Sequence, residues 1–297
     1  MATGTFVAVD WGTTNASFIL AQADGTILAE QTGPGIAALD GPGAIEAACF
    51  AAIADWPSLP LVIAGMAGSD MGWHPAPYVS APATAEDVHA AAVRFVARGV
   101  QVALLPGVQT VRDDGFPDFM RGEEIQIFGS VASDAGLVCL PGTHSKWAQV
   151  NNSEIAYFHT AMSGELMDAV GRGTILLNPK HAPVAQPGAL FLEGVKAVTH
   201  SGLGLETMLF TVRSRQIAQT LTAATADDYL AGLCIGSDIR SALTFHPDTR
   251  SVTLVGAPSL TELYATALAS VGIISRQVDG KTAALAGLTS AYRAIFA

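Results

Sequence analysis

Two short glycine-containing turns carry the residue types that bind phosphate: Asp10-Trp11-Gly12-Thr13-Thr14-Asn15 and Pro141-Gly142-Thr143-His144-Ser145-Lys146. In the first, Gly12 lets the backbone approach a phosphate closely, while Thr13, Thr14 and Asn15 supply hydroxyl and amide donors. Asp10 ends the apolar run before the turn, where a carboxylate can hold Mg²⁺ beside the phosphates it neutralises or, more plainly, cap its own turn. In the second, Gly142, Thr143, His144 and Ser145 offer a similar donor set, and Lys146 adds a point charge within reach of a terminal phosphate. His144 either hydrogen-bonds a phosphate oxygen or holds the turn. Two such turns can grip a nucleotide's phosphates from opposite sides.

Other residues supply what phosphoryl transfer to a hydroxyl would need. Asp118, Glu123 and Glu124 lie between the turns, and a carboxylate near the acceptor hydroxyl must take its proton as the bond to phosphorus forms. The bland alternative makes Asp118 a helix N-cap, with the glutamates favouring the first helical turns through the dipole. Gly256, Ala257 and Ser259 follow an apolar strand and open a helix, and their amides could line an adenine-ribose pocket. The stretch Gly65 to Ala83 reads as a long loop of the kind that is often functional, with Gly68, Ser69 and Trp73 as substrate-facing candidates. An anionic substrate calls for a guanidinium in bidentate geometry; Arg112, Arg121 and Arg172 are available, with surface salt bridging as the plain alternative for each, and Arg112 and Arg121 are the substrate-binding candidates.

The elements that must position these groups follow from periodicity. Phe6 to Val9, Ala16 to Ala21 and Thr26 to Glu30 read as a β-meander with a hairpin at Asp24-Gly25. Gly136 to Leu140, Trp147 to Val150 and Ile155 to Thr160 repeat that plan, which suggests an internal structural duplication. A Walker loop or dinucleotide fingerprint would run from strand into helix, and neither is present. Helices are expected at Ala44 to Trp56, Thr84 to Ala97, from about Asp118, and at Gly164 to Leu177, Gly188 to Thr199, Leu205 to Leu221, Asp227 to Leu243, Ser259 to Ser270 and Gly280 to Ile295. Strands are expected at Leu61 to Ala64, Val100 to Leu105, Val252 to Val255 and Ile273 to Gln277, and Pro106 to Pro117 reads as the crossing between halves.

With 297 residues, 50% of them hydrophobic and 14% charged, the chain can build two cores and does not read as disordered. The uncharged stretches are broken by Pro and Gly and fall short of a membrane span, and no basic-then-apolar leader precedes Val7. Cys49, Cys139 and Cys234 sit in apolar surroundings without metal-type spacing, so reduced thiols and a cytoplasmic location are expected. A net charge of -11 disfavours nucleic acid and anionic membranes as partners. Two-fold oligomers being common, a homodimer is the default expectation.

The chain resembles the 2-dehydro-3-deoxygalactonokinases, sugar-acid kinases of the actin, hexokinase and Hsp70 superfamily. The likeness rests on DWGTTN at 10–15, GMAGSDMGW at 65–73, APYVSAP at 76–82, PDFMRGEEIQIFG at 117–129, LPGTHSKW at 140–147, MSGEL at 162–166 and LVGAPSL at 254–260. It departs from the family's usual pattern at Ala16 and Ser17, and at Asp70, where basic residues are common. The resemblance implies an α/β fold of two ribonuclease-H-like (actin-like ATPase) domains with an interdomain active-site cleft. The expected domains span 1–106 and 107–297, the second with a helical insertion and with a last helix free to pack back on the first. It also implies transfer of the ATP γ-phosphate, with Mg²⁺, to the 6-hydroxyl of 2-dehydro-3-deoxy-D-galactonate in galactonate catabolism. By the same analogy, Asp10 and Gly12 to Asn15 form one phosphate site, Gly142 to Lys146 the other, Gly256 to Ser259 lie by the adenosine, and Asp118 is the base. The rival readings are a kinase of another sugar acid, such as 2-dehydro-3-deoxygluconate, and a non-catalytic nucleotide-binding regulator of the same fold.

Overall fold

In the computed structural model, which describes residues 4–130, 136–177 and 187–297, the chain opens with β1 (Thr5–Trp11), β2 (Asn15–Gln22) and β3 (Ile27–Pro34). These form an antiparallel meander that pairs Asp10 with Ser17. Its second hairpin turns at Gly25, whose φ of 91° lies in the left-handed region that an Asp-Gly turn requires. Then come α1 (Gly41–Ala52), β4 (Leu61–Gly65), a 3-10 turn at Met66–Gly68, β5 (Tyr78–Ser80), α2 (Ala85–Ala90), β6 (Val93–Ala97) and β7 (Val100–Leu104). A hairpin of β8 (Gly107–Val111) and β9 (Pro117–Met120) leads into α3 (Glu123–Ser130).

The second half begins with β10 (Gly136–Leu140), β11 (Ser145–Asn151) and β12 (Glu154–Ala161). Helices α4 (Ser163–Gly173), α5 (Ala189–Ser201), α6 (Leu205–Ile217) and α7 (Ala226–Phe245) follow, then β13 (Ser251–Gly256), α8 (Pro258–Ser270), β14 (Ile274–Asp279) and α9 (Gly280–Phe296).

The two large sheets share one strand order. The first runs β3-β2-β1-β4-β7 with β6 added at its edge, and the second runs β12-β11-β10-β13-β14. In each, the first strand of the meander pairs in parallel with the strand that follows a helix, β1 with β4 and β10 with β13. This is the ribonuclease-H-like plan, used twice. The internal contacts divide the chain into two units, one of Met1–Ala135, Ala148–Phe158 and Gly280–Ala297, the other of Gly136–Trp147 and His159–Asp279. Residues 107–130 thus group with the first unit, as does α9.

The first unit's core is built from Val7, Val9, Trp11, Phe18, Leu61, Ile63, Val102 and Leu104, which the strand alternation of β1, β2, β4 and β7 turns to one side. Trp11 and Phe18 meet edge-to-face at 5.5 Å between centroids. Each fully buried large side chain of this kind contributes roughly 1.5–3 kcal/mol. In the second unit, Cys139, Trp147, Phe191, Leu254 and Tyr264 form one cluster, while Val198, Val212 and Leu230 form another between helices. Among the described residues, no helix is long and apolar enough to cross a membrane.

Three expectations need correction. The helix expected over Thr84 to Ala97 stops at Ala90. Thr84 and Asp87 close a capping box at its start, whereas Val93–Ala97 alternates along the sheet edge and turns back through Arg98 and Gly99, both at positive φ. The crossing expected over Pro106 to Pro117 contains β8 and the tip of a hairpin. Asp118 does not open a helix: it lies in β9 opposite Thr110, and the chain reaches α3 only after Gly122, whose φ is 107°. Pro117 lacks an N–H and is tolerated because β9 is an edge strand.

Candidate active site

The first phosphate-type turn lies where β1 ends. Gly12 N–H donates to the Asn15 carbonyl, closing the turn at 2.9 Å. The carbonyls of Thr14, Thr13 and Gly12 accept from the amides of Gly35, Ala37 and Ile36, so backbone acceptors face the protein while Thr13, Thr14 and Asn15 are exposed. Beside it, at the parallel end of β4, Gly65 approaches Trp11 so closely that a Cβ would meet the Trp11 carbonyl oxygen at 2.5 Å. Ligand sites of parallel α/β sheets characteristically form at such strand ends.

Asp10 stands at the centre of this end of the unit. Burial, then the charge of Glu123, push its carboxyl up to about 6, against a hydrogen bond from Gln126 that favours the ionised form. A Cβ on Gly122 would come within 4.0 Å of Asp10 Oδ1 and 3.3 Å of the Gly65 Cα, which brings the segment from Arg121 to Glu124 against the first turn. Glu123 accepts a hydrogen bond from Arg121 N–H at 2.9 Å. Glu124 is fully buried, and both its oxygens accept from Gly122 N–H, at 3.0 and 2.7 Å. Burial and the neighbouring Glu123 raise Glu124 to about 8, so it carries a proton at neutral pH.

The remaining candidates of this unit take different partners, although Arg112 and Asp118 lie within electrostatic reach of each other. Arg121 stacks over the Tyr78 ring at 4.2 Å, donates from Nη2 to the Ala76 carbonyl at 2.9 Å and from Nε to Tyr78 Oη at 3.3 Å. Its Nη1 has no acceptor among the described residues and faces Gly68, where a Cβ would meet it at 2.7 Å. Ser69 is partly buried and its hydroxyl donates to the Met66 carbonyl. Trp73 is a core residue, 4% exposed and edge-on to both Phe50 and Phe95. Arg112 forms a two-pronged ion pair with Asp114 at the hairpin tip. Asp118 is 8% exposed, and its Oδ1 accepts from Phe119 N–H at 2.8 Å.

In the second unit, the equivalent turn follows β10. Glu165 N–H donates to the Thr143 carbonyl, His144 pairs with the Glu165 carboxylate, and Gly164 packs directly on Gly142. Thr143 and His144 are exposed, whereas Ser145 and Lys146 are buried. The Ser145 hydroxyl donates to Asp238 at 2.6 Å, and Lys146 Nζ donates to the Thr160 hydroxyl at 2.8 Å. Gly256, at the end of β13, lies next to the turn: a Cβ there would sit 3.6 Å from the Pro141 carbonyl oxygen. Ala257 and Ser259 are exposed around the N-terminus of α8. Asp238 escaped the sequence reading; its only signal was a lone acid inside an apolar helical stretch.

Comparison with known proteins gives the chain's family. The family model described as 2-keto-3-deoxy-galactonokinase matches residues 10–291. The chain belongs to that family. A Rhizobium meliloti (strain 1021) protein named probable 2-dehydro-3-deoxygalactonokinase DgoK1 is 38% identical over 99% of this chain and 98% of its own length. The Escherichia coli (strain K12) 2-dehydro-3-deoxygalactonokinase is 32% identical over 99% of both chains. A crystal structure of a candidate 2-dehydro-3-deoxygalactonokinase from Sinorhizobium meliloti superposes with a TM-score of 0.90 at 36% identity, covering 98% of this chain and 99% of that one. The fold extends beyond the galactonokinase family: the activator of 2-hydroxyisocaproyl-CoA dehydratase from Clostridium difficile has a TM-score of 0.53 at 10% identity, over 97% of this chain and 94% of its own.

The donor set around Asp10 fits a hard divalent cation. Burial and then the neighbouring Glu123 charge raise the Asp10 pKa, and two carboxylates in one neighbourhood are hard oxygen donors of the kind a divalent cation takes. Among the described residues, no group of three or more His, Cys, Asp or Glu side chains is placed to hold a metal ion.

Proposed function

We propose that this protein transfers the γ-phosphoryl group of ATP to the 6-hydroxyl of 2-dehydro-3-deoxy-D-galactonate. The observation that carries this reading is the end-to-end match to galactonokinases combined with a phosphate-type turn at the end of β1 that has a desolvated carboxylate, Asp10, at its base.

The amides and hydroxyls of Gly12 to Asn15 and the amides of Gly142 to His144 bind phosphate oxygens, and Gly256, Ala257 and Ser259 border the adenosine. Asp10 and Glu123 hold Mg²⁺, which when bound offsets the phosphates' negative charge. Lys146, now held by Thr160, is a further cation available to a terminal phosphate. Arg121 rather than Arg112 holds the substrate carboxylate, because Arg112 is already paired with Asp114 while Arg121 retains an N–H that needs an acceptor. Gly68 suits that role, since any side chain there would press on Nη1.

Of the three acidic candidates for the base, Glu124 is sealed and protonated and Glu123 serves Asp10, so Asp118 takes the proton. As the sugar oxygen forms its bond to the γ-phosphorus, the bond to the β–γ bridging oxygen breaks, the hydroxyl proton passes to the Asp118 carboxylate and ADP leaves. The setting is the cytoplasm, in keeping with three buried free thiols, two of which, Cys49 and Cys234, burial pushes up to about 12.

The test is ADP release with MgATP and a panel of 2-dehydro-3-deoxy sugar acids, with plain aldoses as controls. Turnover with the galactonate derivative is expected. Preference for the gluconate epimer would move the substrate assignment, and silence across the panel would remove the kinase reading.

A further inference from the structure

Asp238 sits in the interior of the second unit, 3% exposed, on a helix whose neighbouring positions Ile235, Ile239 and Ala242 are core. Among the described residues, the side chains that hydrogen-bond its carboxylate are all neutral donors. Ser145 Oγ and Tyr264 Oη both donate to Oδ2 at 2.6 Å, Trp147 Nε1 donates to Oδ1 at 2.9 Å, and the Ser163 hydroxyl adds a fourth hydrogen bond. Four donors match the lone-pair capacity of one carboxylate. A buried carboxylate is costly, and apolar residues of similar volume often replace buried charges without loss of stability. The compensation is therefore directional: four elements, β11, α4, α7 and α8, are fixed to one point.

Two of those four donors flank the second phosphate turn. Ser145 is the first residue of β11, immediately after His144. Ser163 opens α4, whose Gly164 packs on Gly142 and whose Glu165 N–H takes the Thr143 carbonyl at 2.9 Å. The helix that carries Asp238 is itself pinned. Gly232 and Gly236 of α7, with Gly194 of α5, let the two helix backbones approach so closely that a Cβ at Gly236 would stand 2.9 Å from the Val195 Cα.

We infer that Asp238 is a positioning residue for the second phosphate turn, setting the Gly142–His144 backbone through Ser145 on one side and through Ser163 and α4 on the other. This rests on the reading of that turn as a phosphate site. The turn's own residues are exposed and short, and a donor cradle holds an anion well only when its geometry is set before the ligand arrives.

Calorimetric titration of the full-length protein with ADP in excess Mg²⁺ tests this without requiring turnover. Asp238→Asn reverses the donor pattern at Oδ2 and is expected to weaken ADP at least tenfold. Ser145→Ala removes a hydroxyl that is 0% exposed and cannot touch a ligand, so the severalfold weakening expected there acts through its hydrogen bonds, the short one to Asp238 and the longer one, 3.3 Å, to the Ala161 carbonyl. Leu268→Ala, in the same core cluster, supplies a control for general destabilisation and should bind as the parent does. If Asp238→Asn fails to fold, Ser145→Ala decides. Parental affinity in folded Ser145→Ala, or an equal loss in Leu268→Ala at matched thermal stability, overturns the positioning role. A parent protein that does not bind ADP overturns the phosphate-site reading itself and the inference with it.

Discussion

The carboxylates of Asp10 and Glu123, 113 positions apart in the chain, share one electrostatic neighbourhood, and the charge of Glu123 helps burial raise Asp10 to about 6. Two neighbouring acids repel each other and are the kind of hard oxygen pair that suits a divalent ion.

A pH dependence of Mg²⁺ binding follows. Above about pH 6 Asp10 is ionised and available; below it the proton competes with the metal. The Mg²⁺-dependent gain in ADP affinity should shrink by about tenfold per pH unit under pH 6, as seen by titration at pH 5, 6 and 7. Constant Mg²⁺ linkage across that range would remove Asp10 from the metal site.

Asp10→Asn should separate function from stability. If Asp10 holds Mg²⁺ as proposed, loss of its charge should lower turnover by about 10²–10³-fold. The same change removes a desolvated anion that repels Glu123, so stability to urea at pH 8 should rise, by about 1–2 kcal/mol. A variant that loses both activity and stability would mean that Asp10 is structural.

Glu124 makes the first unit's stability pH-dependent. Its folded pKa, about 8, lies above the ordinary 4.5, so the folded state holds the proton longer than the unfolded chain does. Its contribution is full below pH 4.5 and is lost as pH rises to 8, with a slope of up to about 1.4 kcal/mol per pH unit. Glu124→Gln keeps an acceptor for Gly122 N–H and should flatten that slope in urea titrations between pH 5 and 8.5.

Arg121→Ala should raise KM for the sugar acid by tenfold or more, while KM for ATP changes little. Arg112→Ala, which breaks an exposed ion pair with Asp114 at a hairpin tip, should leave both within about twofold. The opposite ranking would transfer the carboxylate to Arg112.

Gly164→Ala tests the brace on the second turn. The new methyl would collide with the Gly142 carbonyl and crowd the Thr143 Cα at 2.9 Å, so either α4 or the turn must move. KM for ATP should increase several-fold with little change for the sugar acid, and an unchanged KM for ATP would show that α4 yields instead.

Much of the site was legible in contiguous residues. The strand-turn-strand pattern around Gly12 and Gly142, the repeated meander, the strand-to-helix entry at Gly256 and the galactonokinase likeness all come from local turn chemistry and period-2 alternation, which neighbouring residues encode. Asp118 was misread as helical because an acid after Pro117 resembles an N-cap, and the positive φ at Gly122 that delays α3 leaves no distinct mark. The Arg98-Gly99 hairpin was missed because Thr84 to Ala97 has apolar residues at both helical and strand spacings.

What the sequence alone determined is therefore the type and order of the elements and the presence of two phosphate-type turns, since each depends on residues within a few positions of one another. Tertiary structure decided which donors those turns expose. It committed the Ser145 hydroxyl to Asp238, 93 residues away, buried Trp73 between Phe50 and Phe95, left Arg121 Nη1 facing Gly68, and brought Glu123 to Asp10. The orientation of a side chain and the pKa of a carboxylate are set by what packs around them, and those neighbours come from distant parts of the chain.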